Sequence, residues 1–173
     1  GLLGNEPRIA NVLKISAEKS GWGRKLPKGR ALGVAIMEGY GTYMAQVAEV
    51  SVTEGNIKVH KVWVVSDQGN MVNPEIVRQQ LESGIVYGLS GALYTENTLA
   101  NGRIQQANFN DFTPIRQNQS PVIDVTLVES ANKPGGVGEP STSLIGPAVA
   151  NAIFAATGKR VRSMPLAKAM KSA

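Results

Sequence analysis

One acidic residue stands inside the most unusual segment of the sequence, the loop Lys133–Thr142. Glycines precede Glu139 at positions 135, 136 and 138, and Pro140 follows it. A carboxylate held in an apolar, partly dry place takes up a proton more readily than one in water. Such a group can act as a general base near neutral pH. Glu139 could equally be an exposed loop acid or the N-cap of the following helix, so the loop leaves both interpretations open.

The glycine loop lies between a predicted strand and a predicted helix, which is also the order of a phosphate-binding site. However, Gly136-x-Gly138-x-x-Ser141 lacks the third glycine of a dinucleotide fingerprint. The carboxylate of Glu139 would also repel a phosphate group placed in this loop. The sequence therefore argues against a nucleotide site there.

Several metal and nucleophile chemistries are excluded by composition. The sequence has no cysteine and a single histidine, His60, which excludes thiolate ligation, cysteine nucleophiles and a multi-histidine zinc site. A histidine-based catalytic triad would have to use His60. That residue falls inside an alternating strand, where we expect a packed or half-exposed side chain rather than a site residue.

Length and composition indicate one globular domain over residues 1–173, with frayed ends at 1–10 and 167–173. Of the 173 residues, 42% are hydrophobic and 18% are charged, which is typical of a chain with a core. The net charge is +5, and one loop holds four cations: Arg24, Lys25, Lys28 and Arg30. No row of aromatic residues accompanies them, so a solvated loop is favoured over a nucleic-acid surface. No stretch approaches the roughly 20 apolar residues of a membrane span.

The hydrophobic pattern predicts an α+β fold, a two-layer mixed β-sheet with helices packed mainly on one face. Alternating residues predict a hairpin of Tyr43–Val52 with Ile57–Val65, joined by the turn residues Glu54-Gly55-Asn56. Further strands are predicted at Leu32–Met37 and Val122–Val128 and, more weakly, near 98–107 and 160–164. Helices are predicted over Asn11–Lys19, 74–94 and 143–157, the second of them capped by Asn73-Pro74.

The second predicted helix carries three glycines, Gly84, Gly88 and Gly91. Together they cost roughly 2–3 kcal/mol in helix propensity relative to alanine. Close packing against another element, or the close approach of a bulky ligand, would account for them. Close packing is the commoner cause.

Two separate motifs give the sequence a family resemblance. The first is GVGEP at residues 136–140, within the run GGVGEPSTSLIGPAVANAIFAATGKRVRSMPL, and the second is DxG…NP…QxExG…GL from Asp67 to Leu89. With GWGRKLPKGRALGVAI and AQVAEVSV, they extend in order from about Asn11 to Leu166. On these residues the chain resembles the C-terminal part of the large, molybdopterin-binding subunit of the xanthine oxidase/aldehyde oxidase family of molybdenum hydroxylases. The likeness is closest to the isoquinoline 1-oxidoreductase beta subunit.

This resemblance implies a C-terminal molybdopterin-binding domain of a bacterial oxidoreductase. Family members hydroxylate a carbon of an N-heterocycle or an aldehyde with water as the oxygen source. The implied cofactor is molybdopterin with molybdenum, in its cytosine dinucleotide form, and the metal is held by the cofactor rather than by side chains. Glu139 would be the general base that deprotonates a hydroxyl on molybdenum, and Gln80 would hydrogen-bond the cofactor. The backbone of Gly136, Val137 and Gly138 would line the surroundings of the metal.

The resemblance also implies partners: the remainder of the large subunit, a small iron–sulfur subunit with 2Fe–2S clusters, and a heterocycle or aldehyde substrate. We therefore expect the chain to be the terminal domain of a larger subunit, inactive and without tightly bound cofactor when isolated. We expect a soluble assembly of the bacterial cytoplasm or periplasm, with no nucleic acid and no membrane span. An alternative hypothesis is a non-catalytic interaction or assembly module. In that case the glycine-rich helix docks another chain and Glu139 is a structural cap.

Overall fold

In residues 3–171, which the computed structural model describes, four strands form one mixed sheet. They are β1 (Arg30–Gly39), β2 (Thr42–Thr53), β3 (Asn56–Asp67) and, after the short pair β4 (Leu99–Ala100) and β5 (Arg103–Ile104), β6 (Val122–Leu127). The order in the sheet is β1-β2-β3-β6. The first three strands are antiparallel neighbours, and β6 runs parallel to β3.

Alternation along β2 and β3 decides what each face of the sheet buries. Met44 and Val64 point to the face that holds the main core, whereas Ala45 and Val65 point to the opposite face. The predicted hairpin of these two strands is confirmed, with a register irregularity at Glu49/Val50. The short pair of β4 and β5 confirms the weaker prediction near 98–107.

Two long helices, α2 (Pro74–Leu93) and α3 (Pro140–Thr157), cover the face with the main core. Their fully buried side chains include Leu81, Ile85, Ile145 and Val149. A third helix, α1 (Pro7–Ser20), packs on the opposite face through Ile9 and Val12. The α+β class, with helices mainly on one face of a mixed sheet, is therefore confirmed, and α1 adds a partial layer behind the sheet.

Both ends of the chain contain helices where we expected frayed segments. The helix α1 begins at Pro7, within 1–10, and α4 (Leu166–Lys171) occupies most of 167–173. Burial of Leu166 and Met170 in the main core explains why α4 is ordered. Residues 3–6 form a turn and an irregular residue before α1, and residues 1, 2, 172 and 173 lie outside the described residues.

The weak strand predicted near 160–164 is wrong. The described residues 160–164 form no strand, because no neighbouring strand lies beside them to pair with. Val161 packs partly against the main core, while Arg160 and Arg162 on either side are exposed. The alternation of buried and exposed residues in this segment therefore belongs to an irregular connection that leads along the main core to α4.

Candidate functional site

A groove of about 510 Å³ opens between the β1–β2 turn, α2 and the first turn of α3. The residues that line it are Met37, Tyr40, Gln80, Ser83, Gly84, Tyr87, Gly138, Glu139, Thr142 and Ser143. The fold thus brings together three of the predicted site residues, while the other two, Gly136 and Val137, lie in the adjoining loop. A larger and more open depression of about 730 Å³ lies beside α2 and β6 and contains none of these five.

Glu139 occupies the N-cap position of α3 and is exposed to solvent. Its side chain makes no capping hydrogen bond to the helix. Instead, the Tyr40 hydroxyl donates a hydrogen bond to Glu139 Oε2 at 3.0 Å. The described residues of this chain therefore do not form the apolar, partly dry surroundings that one interpretation of the loop required. The N-cap interpretation holds for the backbone, and the carboxylate stands at the positive end of the α3 dipole, which favours negative charge.

Three hydrogen bonds hold the glycine loop against the sheet. The Gly135 N–H donates to the Gln68 carbonyl at 2.7 Å, and the Gly136 N–H donates to the Tyr40 carbonyl at 2.8 Å. The Thr42 hydroxyl donates to the Gly136 carbonyl at 2.7 Å. A Cβ at Gly135 would stand 2.6 Å from the backbone of the β1–β2 turn, so glycine is required for this close approach.

Three further residues of the predicted cofactor site differ in how freely they face solvent. Gln80 is exposed on α2 and makes no side-chain hydrogen bond with another described residue. Beside Gly138 a Cβ would meet nothing within 4 Å, so its backbone is accessible. Val137 is half-buried and packs against the main core. Gln80 and Gly138 are thus available to a ligand, while Val137 packs the glycine loop against the main core.

The glycines of α2 are explained mainly by packing against α3. A Cβ at Gly84 would stand 2.0 Å from Ser141 Oγ, and one at Gly88 would stand 2.5 Å from the Thr142 carbonyl oxygen. A Cβ at Gly91 would meet nothing within 4 Å. This chain's own α3 therefore covers Gly84 and Gly88, and the alternative hypothesis that the glycine-rich helix docks another chain stays a prediction for the part of α2 around Gly91.

The first residues of the DxG…NP motif are structural. Arg8 donates to Asp67 Oδ2 at 2.8 Å and to Asp67 Oδ1 at 2.7 Å, and this pairing holds the pKa of Asp67 below its usual value. Gly69 has φ +78°, and a Cβ there would stand 2.3 Å from the Lys133 carbonyl oxygen. The Asn73 side chain accepts hydrogen bonds from the N–H groups of the second and third residues of α2, Glu75 and Ile76, at 3.0 and 3.1 Å. These residues support the loop and α2 without lining the groove.

His60 and the basic loop have structural partners. His60 Nε2 lies 2.8 Å from Ser51 Oγ on the neighbouring strand, and burial lowers the pKa of this half-buried imidazole. Arg24 and Arg30 donate to the two carboxylate oxygens of the buried Glu49, at 2.6 and 2.7 Å. The prediction that His60 is a packed strand residue is confirmed, and two of the four cations of the basic loop share one buried carboxylate within the fold.

Sequence reasoning missed two residues at the site. Tyr40 hydrogen-bonds Glu139 across the groove. The sequence feature that could have pointed to Tyr40 is the Tyr-Gly dipeptide at a two-residue turn between strands. Gln46 is fully buried beneath α3 and donates from Nε2 to the Ser141 carbonyl at 2.9 Å. The sequence feature that could have pointed to it is the single amide side chain within the apolar run Met44–Ala48.

Comparisons with known proteins agree with the two motifs. The family described as "Molybdopterin cofactor-binding domain" matches residues 13–121, which is more than half of the chain and ends before the Glu139 loop.

Among residues 3–171, no helix is long and apolar enough to cross a membrane. Within the same range, no group of three histidine, aspartate or glutamate residues is placed to hold a metal ion.

Two curated relatives match almost the whole chain. This chain is 38% identical over 173 residues to isoquinoline 1-oxidoreductase subunit beta of Brevundimonas diminuta, and the match covers 97% of this chain and 22% of that protein. It is 36% identical over 171 residues to the membrane-bound aldehyde dehydrogenase (pyrroloquinoline-quinone) of Gluconacetobacter polyoxogenes, covering 95% of this chain and 22% of that protein. The chain thus spans 22% of the length of both relatives.

Solved structures share the fold. Quinoline 2-oxidoreductase from Pseudomonas putida 86 matches with a TM-score of 0.66 and 21% identity, covering 72% of this chain and 17% of that chain. Reconstituted CO dehydrogenase from Oligotropha carboxidovorans matches with a TM-score of 0.67 and 20% identity, covering 76% and 18%. At these identities the likeness establishes the arrangement of helices and strands.

Proposed function

The chain belongs to the molybdopterin cofactor-binding domain family, and on that premise we propose that it is the C-terminal domain of the large subunit of a molybdenum hydroxylase. The complete enzyme would hydroxylate a carbon of an N-heterocycle or an aldehyde with water as the oxygen source. One observation carries the proposal: Glu139 and Gln80, which come from separate motifs, lie on the same groove. The names of the two curated relatives, an isoquinoline oxidoreductase and an aldehyde dehydrogenase, support these two substrate classes.

The residues on the groove fit a molybdopterin cofactor. Gln80 offers an exposed amide with both a donor and an acceptor for the polar edge of a pterin. The space beside Gly138, where a Cβ would meet nothing within 4 Å, leaves backbone open to a ligand, and Gly136 and Val137 fix that backbone on the sheet. We infer the cytosine dinucleotide form, with the metal held by the cofactor's own atoms. When bound, the cofactor supplies the redox chemistry of the hydroxylation.

Glu139 is proposed as the general base. Its Oε2 accepts the Tyr40 hydroxyl, so Oε1 is the atom that would accept a proton from the water-derived oxygen that attacks the substrate carbon. General-base catalysis of this kind contributes roughly 10²–10⁴-fold to a rate. Because Glu139 is exposed in this chain, we infer that the remainder of the large subunit covers the groove and excludes water from it.

The remaining parts of the enzyme would come from partners. The chain has no cysteine and cannot itself ligate 2Fe–2S clusters, and we infer that the clusters that carry electrons away belong to a small iron–sulfur subunit. The substrate pocket would be completed by the rest of the large subunit. We therefore expect the isolated chain to bind molybdopterin only weakly and to turn over no substrate.

Cofactor identity is tested by measuring molybdenum. The native assembly is purified through an affinity tag on this chain, and its metal content is measured by elemental mass spectrometry. We expect about one molybdenum per copy of the chain. An intact assembly without molybdenum, from cells that make the cofactor, would refute the proposal, and pyrroloquinoline quinone in its place would assign the chain to the chemistry named for one relative.

The role of Glu139 is tested by Glu139→Gln in the same assembly. The amide has nearly the same shape but accepts no proton at neutral pH, so turnover should fall by roughly 10² or more with molybdenum content unchanged. Glu18→Gln is the matched control, since Glu18 is exposed on α1 behind the sheet. Undiminished turnover in Glu139→Gln would refute the base assignment while leaving the cofactor assignment intact.

A further inference from the structure

The turn between β1 and β2 has an unusual residue at its first position. Tyr40 has φ +59° and Gly41 has φ +75°, so both central residues are in the left-handed region, as in a type I′ turn. Asparagine, aspartate and glycine are the residues that tolerate this conformation. Of the other two-residue turns, the one between β4 and β5 has the favoured pair, Asn101 with φ +51° and Gly102 with φ +74°, whereas the one between β2 and β3 has Glu54 with φ +51° before Gly55. Tyrosine at position 40 is therefore unfavourable for the backbone.

Burial does not compensate for this conformation, because Tyr40 is 64% exposed. What Tyr40 does provide is contact with the Glu139 loop. Its hydroxyl donates to Glu139 Oε2 at 3.0 Å, and its carbonyl accepts the Gly136 N–H at 2.8 Å. A Cβ at Gly136 would stand 3.1 Å from Tyr40 Cβ, so the tyrosine also lies against the loop backbone.

We propose that Tyr40 is a positioning residue for Glu139, an inference that rests on the function proposed above. The hydroxyl fixes one carboxylate oxygen, and the other, Oε1, is left to accept the proton. No other side-chain hydrogen bond to Glu139 is formed by the described residues of the chain. An unfavourable backbone conformation is retained at functional sites when the side chain it presents is needed there, and the contact with Glu139 supplies that need.

The negative charge of Glu139 supports the same hydrogen bond from Tyr40 to the carboxylate. The carboxylate of Glu139 raises the pKa of the Tyr40 phenol through their hydrogen bond, so the hydroxyl stays protonated and remains a donor near neutral pH. Among the described residues that line the groove, the titratable ones are Tyr40, Tyr87 and Glu139. Tyr40 is the one that contacts the carboxylate.

The contact is tested on the 173-residue chain by tyrosine ring-carbon NMR, in which the sequence gives four resonances to follow. In Glu139→Gln the pKa of Tyr40 should fall toward its ordinary value, because the negative partner is removed. Tyr43 is the matched control: its pKa is raised by Glu38, so Glu38→Gln should lower the pKa of Tyr43 and leave Tyr40 unchanged. An unchanged Tyr40 titration in Glu139→Gln would overturn the proposal.

The positioning role is tested in the complete assembly with two variants. Tyr40→Phe keeps the ring and removes the hydroxyl, and Tyr40→Asn removes the hydroxyl but suits the turn. We expect both to lower kcat roughly tenfold or more, with KM and molybdenum content close to wild type. If Tyr40 were purely structural, Tyr40→Asn would keep full kcat, because asparagine tolerates the left-handed turn conformation better than tyrosine does.

The outcomes separate this inference from the proposed function. If Glu139→Gln is inactive while both Tyr40 variants keep wild-type kcat, Glu139 is the base and the positioning role is wrong. If Glu139→Gln retains full turnover, both assignments are wrong. Loss of kcat in all three variants, with molybdenum retained, supports both.

Discussion

Alanine substitutions at two glycines of α2 distinguish close helix packing from simple helix propensity. Gly88→Ala and Gly91→Ala add the same methyl group to the same helix. Alanine is favoured over glycine in a helix interior by about 1 kcal/mol, and this gain applies to both variants. Any difference in their free energies of unfolding must therefore come from what surrounds each new methyl group.

At Gly88 the surroundings are backbone and a buried side chain. The new Cβ would stand 2.5 Å from the Thr142 carbonyl oxygen and 2.6 Å from Ile145 Cγ2, so α3 must move by about 1 Å to restore van der Waals separations. Overpacking of this kind costs about 1–3 kcal/mol. At Gly91 there is nothing within 4 Å. We expect Gly88→Ala to be less stable than Gly91→Ala by about 1–3 kcal/mol.

Urea and thermal unfolding of the 173-residue chain, followed by circular dichroism, measure this difference. Each kcal/mol corresponds to roughly 2–4 °C in Tm for a domain of this size. Gly91→Ala should be as stable as wild type or slightly more stable, and Gly88→Ala should be less stable. Equal stabilities for the two variants would refute close packing as the reason for Gly88 and reopen ligand approach as an explanation.

Three further predictions concern the sheet and its turns. Arg8 lowers the pKa of Asp67, so the stability from this pair is present above the ordinary carboxyl pKa and is lost as pH falls toward the lowered value. Asp67→Asn should flatten that acid-side loss in urea titrations at a series of pH values. Gly33→Ala would place a Cβ 2.1 Å from the Ala152 backbone nitrogen, and thermal unfolding should show a loss of about 3 kcal/mol. Tyr40→Asn should raise the free energy of unfolding in urea by about 1 kcal/mol, because asparagine tolerates a left-handed backbone better than tyrosine.

Local patterns were sufficient to predict the hairpin and α2. In β2 and β3 the residues alternate between the two faces except at the irregularity at Glu49/Val50, and the turn between them contains Gly55 with φ +76°, so local sequence and tertiary packing favour the same structure. The cap of α2 was equally local, since the Asn73 side chain bonds the first turn of its own helix. For α3 the predicted start at 143 was too late. Pro140 is the first residue of the helix, a position that proline tolerates because its missing N–H has no partner there.

Features that depend on distant residues could not be read from local patterns. The strand expected near 160–164 alternates correctly but has no neighbour in the sheet, and pairing is a property of the whole fold. The surroundings of Glu139 depend on Tyr40, which lies far from it in sequence. An apolar, partly dry site for this carboxylate was one of the interpretations that the loop sequence left open, and the local sequence could not choose between them. In the structure the groove is open, and the chain spans 22% of the length of the relative from Brevundimonas diminuta.

The position of Glu139 depends mostly on contacts made by backbone atoms. A Cβ at Gly33 would stand 2.2 Å from the Ala148 carbonyl oxygen of α3, so this helix lies directly on the β1 backbone. Gly88 brings α2 equally close to the first turn of α3, and Gly135 lies against the β1–β2 turn. The helix that presents the carboxylate therefore has little freedom to shift toward the sheet, α2 or the turn. The side-chain contribution is the Tyr40 hydrogen bond, which orients the carboxylate on a backbone that glycine contacts have already placed.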